Sequence, residues 1–522
     1  MRKRKIIPII AVSIALLLSG PFAEAATVDG PEWLLGLIGQ SGERSENYTL
    51  FNDAVIDLDP ETDQPFGDRT TLEVEAERSF DFGSLYLRPR FSTYYGSLAK
   101  DPDFSLEEGY FDIYMDQMDL RLGKQSVTWG KADGMVVTNL INPRDLTAYP
   151  MIDFYEDGFK EIKLAKLDYY LGMDTLEGIW IPEFEPVTLP DSTLEGRKKD
   201  MAKNLEGEME KSIKNTLKDP SQEMLKKLPS GLDPKKLSKI ADNIGISGWN
   251  PSKIEIEREG IDSELEDQIG FDLEETEWAA RYSSYGSDLD YELMAGYLWD
   301  DYPTLRIADP DKLENELKKK LVKELKKVLN TNPPTNGSGS LPQIELELPS
   351  PELELAHYRL TQVGGSASTT WKDFVFRGEA LYTHGKRFNS LEYLEDGLVV
   401  EKDQIEWLLG AEYSVDYIVD ILNVQVDQQF ILDYEESILT DEYTTLMNFV
   451  AQGQYMRNQL TVEGSLVHDF NRESWISKLQ LTYDQSSDVN YVLGLDYVLD
   501  EGEGLSPVMG RDAVYFRAEY LF

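Results

Sequence analysis

The sequence predicts an all-β fold: a transmembrane antiparallel β-barrel of about 16–18 strands with helical loop insertions. An export signal is followed by no apolar helix long enough to span a bilayer, long segments alternate apolar and polar residues with period two, and short connections alternate with long ones. The 522 residues include 96 Asp plus Glu against 51 Lys plus Arg, a formal net charge of -45. Such a balance argues against nucleic acid as a partner, because a phosphate backbone needs a basic surface. The 28 Tyr, 20 Phe and 9 Trp are too many aromatics for a disordered acidic chain. With no Cys, the chain has no disulfide, thiolate metal site or cysteine nucleophile. His357, His384 and His468 are its only imidazoles, and neither a metal nor a cofactor is expected.

The N-terminus sets Arg2, Lys3, Arg4 and Lys5 before an apolar run from Ile6 to Leu18 and closes with Ala23-Glu24-Ala25. This is the pattern of a secretory signal cut after Ala25, and the run is too short to span. The expected organisation is a signal peptide over 1–25, an N-terminal periplasmic segment over 26–45 and a barrel over 46–522. Removing the signal takes away four basic residues and Glu24, and the net charge moves from -45 to -48.

The C-terminal half shows the strand pattern most openly. Val489, Tyr491, Leu493, Leu495, Tyr497 and Leu499 share one face, and Asn490, Gly494 and Asp496 the other. Trp475, Leu479, Leu481 and Tyr483 alternate with Lys478, Gln480 and Thr482, and Val514, Phe516, Ala518, Tyr520 and Phe522 with Tyr515, Arg517 and Glu519. Strands of soluble sandwiches run only ~5–6 residues, whereas lipid-facing strands are longer and end in aromatics. The same test places strands at 46–57, 70–80, 83–94, 108–116, 118–128, 159–171, 176–184, 274–285, 288–300, 353–363, 368–382, 405–416, 418–434, 441–455, 457–470, 474–486, 489–500 and 511–522. Tight turns such as Asp81-Phe82 and Ser487-Asp488 alternate with long connections, as they do in bacterial barrels. If the last strand ends at the periplasm, every long insertion lies on the cell-surface side.

Two insertions, 185–273 and 301–352, break the alternation. Leu313, Leu317, Leu321, Leu325 and Val328 form a helical stripe, with Asp309 placed to cap and Pro310 in the first turn. Met201, Leu205, Met209, Ile213 and Leu217 form a second. The stripes are expected to pair with each other and to cover or partly plug the barrel mouth, rather than to lie on a membrane. The acidic run Asp262 to Glu275 has no EF-hand spacing and reads as a solvated face.

The segment Leu120 to Leu146 carries Arg121, Gly123, Lys124, Gln125, Trp129, Gly130, Asn142, Pro143 and Asp145. It resembles an uncharacterised, porin-like family of Gram-negative outer-membrane barrels, and Leu176 to Pro190 is similar to the stretch that follows the motif in that family. The resemblance implies an outer-membrane channel or export role and no particular substrate. On the residues alone, Arg121 and Gln125 share an inward face, and Trp129 belongs at the outer interface, as a belt or loop-packing aromatic.

The function expected is an outer-membrane channel passing small solutes, partly occluded by the insertions; an export component and a surface hydrolase are the alternatives. For a hydrolase only His468-Asp469 offers a pairing, and no Gly-x-Ser-x-Gly elbow occurs; no enzyme is expected. The expected partners are outer-membrane lipid and lipopolysaccharide, and the barrel-assembly machinery through the C-terminal strand, whose aromatic end resembles its recognition signal. Alternation turns Arg88, Arg90, Arg121, Arg281, Arg359, Arg377 and Arg517 toward the lumen. Glu73, Glu75, Glu379 and Glu519 turn the same way and are candidates to pair with them.

Overall fold

The computed structural model describes residues 44–58, 66–147, 158–189, 191–220, 234–242, 244–247, 256–257, 275–331, 344–390, 392, 394–415, 419–499 and 512–522. The expected signal peptide, nearly all of the 26–45 segment and the acidic run up to residue 274 lie outside them. In chain order the strands begin with β1 (Arg44–Asp57), β2 (Phe66–Phe80), β3 (Gly83–Gly96), β4 (Asp103–Tyr114), β5 (Met118–Gln125), β6 (Ile162–Leu171) and β7 (Asp174–Ile181). The first insertion contributes β8 (Ile244–Ser247) and β9 (Ile256–Glu257), and is followed by β10 (Glu277–Tyr285) and β11 (Asp290–Trp299). The second contributes β12 (Thr304–Ile307), β13 (Ile344–Glu347) and β14 (Leu353–Ala356). The rest are β15 (Arg359–Trp371), β16 (Phe374–Asn389), β17 (Val399–Ser414), β18 (Ile421–Ile431), β19 (Tyr443–Tyr455), β20 (Leu460–Asp469), β21 (Ser474–Ser486), β22 (Val489–Leu499) and β23 (Ala513–Leu521).

All of these except β8, β9 and β12–β14 join one 18-stranded antiparallel sheet. The sheet closes because β1 pairs with β2 on one side, Leu50 opposite Leu72, and with β23 on the other, Asp53 opposite Arg517. Closure satisfies every edge, as a strand surrounded by hydrocarbon requires. The outward face carries Trp278, Leu293 and Leu409, each more than half exposed, while Asp53, Glu73, Asp112, Glu177, Glu292, Glu379, Asp427 and Arg517 are buried on the inward face. An apolar exterior around a polar interior is the arrangement of a membrane-spanning barrel of the outer-membrane type. Among the described residues no helix is long and apolar enough to cross a membrane.

Each of the 18 expected strands has a counterpart in the barrel. One hairpin was misplaced: the turn expected after Val363 lies at Lys372-Asp373 instead. Gly364 and Gly365 look like turn residues but sit within β15, paired with Leu381 and Ala380, and Lys372 takes the positive φ of 58° that the real turn demands. The two-residue connections 81–82, 172–173, 372–373 and 487–488 all fall at one end of the barrel with both described chain ends, where Tyr48 N donates to Phe522 O. The long ones fall at the other.

The insertions form a body of their own at the long-loop end. Helix α1 (Asp191–Lys218), α2 (Pro234–Ala241) and α3 (Pro310–Thr331) bury Met201, Leu205, Met209, Ile213 and Leu217 against Leu313, Leu317, Leu321 and Leu325. The strands β8 and β13 pair in parallel, joining one insertion to the other. Asp309 caps α3 as expected, its Oδ1 accepting from Lys312 N at 2.8 Å. Both apolar stripes face each other, which leaves neither for a membrane surface.

Candidate functional site

The inward-facing residues of β5 start the site. Gly123 has φ +141°, and a Cβ there would lie 2.2 Å from Gly109 O, so the ladder with β4 excludes any larger residue. Gln125 is fully buried and its Nε2 donates to Gly123 O and Leu164 O, both at 3.3 Å. Beyond Gln125 the chain enters the barrel interior instead of leaving through its mouth. Asn142 staples the base of this loop: its Oδ1 accepts from Val127 N at 2.7 Å, and its Nδ2 donates to Lys160 O at 2.6 Å. Pro143 O accepts from Lys160 N at 2.8 Å, and Asp145 Oδ1 accepts from Thr147 N at 2.9 Å.

Trp129 anchors the loop on the wall. It is wholly buried among Val127, Ile141, Ile162, Leu164, Ile179, Ile181 and Leu298, and its Nε1 donates to Glu177 Oε1 at 2.5 Å. It therefore packs the loop inside the barrel rather than standing at the outer interface. Farther on, Gly130 N donates to Glu292 Oε2 at 3.2 Å, and Lys131 Nζ lies 3.2 Å from Glu292 Oε1. Then comes Glu379 on β16. Its Oε1 accepts from Lys131 N and Ala132 N, both at 2.8 Å, and its Oε2 from Val137 N, Thr138 N and Thr138 Oγ1 at 2.8, 3.0 and 3.0 Å. One carboxylate thus gathers the outgoing and returning arms of the loop through charge-assisted bonds. Gly130 has φ +103°, and a Cβ there would lie 2.5 Å from Glu379 Oε1. Asp133 pairs with Arg377 at 2.7 Å, and Met135 N donates to Gln425 Oε1 on β18 at 3.2 Å. The loop therefore lines the inner wall from β5 to β18.

The wall outside this arc carries the other expected arginines, paired locally. Arg88 reaches Glu161 at 2.6 Å and Glu73 and Glu108 at 3.6 Å. Arg90 reaches Glu73 at 2.8 Å and Glu107 at 3.7 Å. Arg121 bonds Asp112 at 2.7 Å and lies 3.9 Å from the Tyr110 ring centre. Arg517 and Arg69 both reach Asp53 at 2.6 Å. Under the loop, Arg281 bridges Glu177 at 3.2 Å and Glu292 at 3.4 Å, and Arg377 also pairs with Glu412 at 3.1 Å. Glu75 accepts from Asn47 Nδ2 at 3.4 Å, and Glu519 lies opposite Asn490 on the inward face it shares with Arg517.

Arg359 is a correction. It lies opposite Trp299 and stacks on the Trp299 and Tyr297 rings at 4.1 and 5.1 Å, on the face of the exposed Val363. It therefore faces outward. Its apolar neighbour Leu360 points inward, opposite Leu298. A second expectation also changes: Glu379 serves the loop backbone rather than an arginine. The His468-Asp469 pair is split by the strand, since His468 stacks on the outward Trp475 at 3.8 Å while Asp469 is buried and accepts from Asn471 N. A signal for the inward loop lay in β6 and β7, where Ile162, Leu164, Ile179 and Ile181 make the inward face as apolar as the outward one; something had to cover them.

Solved structures of similar fold include a BenF-like porin from Pseudomonas fluorescens Pf-5, at 8% identity over 92% of this chain and 98% of that one with a TM-score of 0.46. Pseudomonas aeruginosa OccK5 (OpdH) is similar at 7% identity over 92% and 97%, TM-score 0.43, and OpdQ of the same organism at 8% over 92% and 98%, TM-score 0.44. The sequence matches no curated protein. The profile of DUF1302, described as a protein of unknown function, matches residues 49–522, a span that takes in the whole inward loop and its anchors, and the chain belongs to that family.

Proposed function

We propose that the protein is an outer-membrane channel for small solutes, narrowed by the loop of residues 126–147. The observation that carries this is the loop itself: held by Glu177, Glu292 and Glu379 on three separate strands, it fixes a narrowing inside a barrel whose polar inner wall suits water. A barrel of this strand number encloses an aqueous lumen unless something fills it. The helical body keeps its apolar residues for its own core and stands at the long-loop end, so the narrowing is assigned to the inward loop. In this reading the long-loop end faces the cell exterior, the outward band contacts outer-membrane lipid and lipopolysaccharide, and β23 is presented to the assembly machinery.

Planar-bilayer recording of the refolded protein tests the reading. Discrete single-channel steps are expected from a barrel that migrates differently before and after boiling. A heat-modifiable barrel without conductance would overturn it. An epitope at Ser338 should be reached on intact cells, and labelling only after permeabilisation would reverse the orientation.

A further inference from the structure

We propose that Asp427 on β18, with Gln425 and Asn448, forms a recognition site for an amine-bearing solute under the tip of the inward loop. Asp427 is buried on the inward face beside Leu408, and its charged neighbours are the carboxylates Glu406 and Glu379. Those two are already engaged: Glu379 holds the loop, and Glu406 accepts from Gln429 Nε2 at 3.1 Å and Gln404 Nε2 at 3.4 Å. Lys386, the cation near Glu406, is paired with Asp300 at 3.2 Å. Among the described residues Asp427 has neither an ion pair nor a hydrogen bond. A carboxylate in such surroundings either takes up a proton or is met by a cation, and an ammonium group supplies that cation.

Two further groups point to a ligand independently of the carboxylates. Gln425 and Asn448 face each other across the β18–β19 ladder, are 1% and 6% exposed respectively, and leave Gln425 Nε2 and Asn448 Oδ1 without a hydrogen-bond partner. Gln425 lies two positions from Asp427 on one face, about 7 Å along the strand. The loop tip covers the pair: Gln425 Oε1 takes the Met135 N–H, and a Cβ on Gly134 would lie 3.0 Å from Asn448 Nδ2. The carboxylate suits an ammonium group, and the unfilled donor and acceptor farther along the strand suit a hydroxyl on the same molecule, which can accept from Gln425 Nε2 and donate to Asn448 Oδ1. Met135, Val137 and Leu408 border the site with apolar surface for a short carbon chain. A small amino alcohol has all three features; a neutral polyol brings no cation to Asp427.

The assignment rests on the channel reading only for the route by which the solute arrives, so binding is measured without conductance. Saturation-transfer NMR on the full-length barrel in detergent, with 4-aminobutan-1-ol and 1,4-butanediol as paired probes, separates charge from hydroxyl recognition. Transfer is expected to the amine and not to the diol. Asp427→Asn should weaken amine binding by roughly tenfold or more, as loss of a charge-assisted contact does, in a barrel that keeps its heat-modifiable migration. Gln425→Leu, which keeps the carboxylate, should weaken it less. Equal transfer to both probes, or amine binding unchanged in a folded Asp427→Asn barrel, would overturn the proposal. If Asp427→Asn fails to fold, an amine signal in the wild type that Gln425→Leu leaves unchanged overturns it instead.

Discussion

Glu379 takes five hydrogen bonds from a loop some 240 residues earlier in the chain. Its inward direction was legible from alternation in β16, but its partners were not, because backbone N–H groups of a distant loop leave no mark in a local pattern. Glu379→Gln keeps the size and replaces one acceptor oxygen by an NH₂ that must face N–H donors. Each charge-assisted bond contributes about 1.5–3 kcal/mol, so releasing one arm should free the loop while the wall ladders persist. Noisier, larger single-channel currents with retained heat modifiability are the expected result; currents identical to wild type would show that the Trp129 anchor alone suffices. The arginines of β3 offer a second test. Arg88 is shared by Glu73, Glu108 and Glu161 and Arg90 by Glu73 and Glu107, so neutralising both takes the arginine partner from four carboxylates. Cation preference should rise in reversal-potential measurements on Arg88→Gln/Arg90→Gln. A folded double mutant with unchanged selectivity and conductance would make these two residues wall stabilisers only.

At the scale of elements, what could be read was whatever repeats with a fixed period. Both helices were legible because Met201 to Leu217 and Leu313 to Leu325 recur every four residues, and their mutual packing followed from the need of each stripe for a partner. The inward path of residues 126–147 was not legible, since it has no regular period and its hydrogen bonds go to side chains on other strands. The turn after β15 was misread because a glycine pair looks like a turn wherever it stands. Since the insertions share one core, their removal should be strongly non-additive. Replacing 191–273 alone by a short linker exposes Leu313, Leu317, Leu321 and Leu325 on α3 and should give an aggregating or protease-sensitive barrel. Replacing 308–352 as well removes that stripe and should restore a clean, heat-modifiable one. Leu321→Ala, at a position 1% exposed, should cost the helical body about 2–5 kcal/mol. Protease susceptibility of the insertions, followed alongside the heat-modifiable shift of the barrel, distinguishes local from global loss.

For the molecule as a whole, the closed sheet and the division of long from short connections were both contained in the alternation, because a barrel leaves its two faces in every strand. The sign of the pore's field was open to sequence reasoning only as an average. The chain carries a net charge of -45, and alternation turned all seven named arginines inward, six of which the structure keeps there, which could have made the lumen basic despite the total. The structure weighs against that outcome. Each inward arginine named above meets at least one carboxylate, and several meet two or three, so the inward arginines are matched by acidic partners. β18 and β19 contain no Lys or Arg at all. Because field lines are focused by a low-dielectric wall, such an excess concentrates counter-ions in the lumen. The open channel should therefore pass cations in preference to anions, with a reversal potential of the corresponding sign in a potassium chloride gradient. The preference should shrink as ionic strength rises, since at 1 M salt the Debye length is only about 3 Å. Anion preference at low salt would mean that the arginines of β3 and β5, rather than the carboxylates, border the water path.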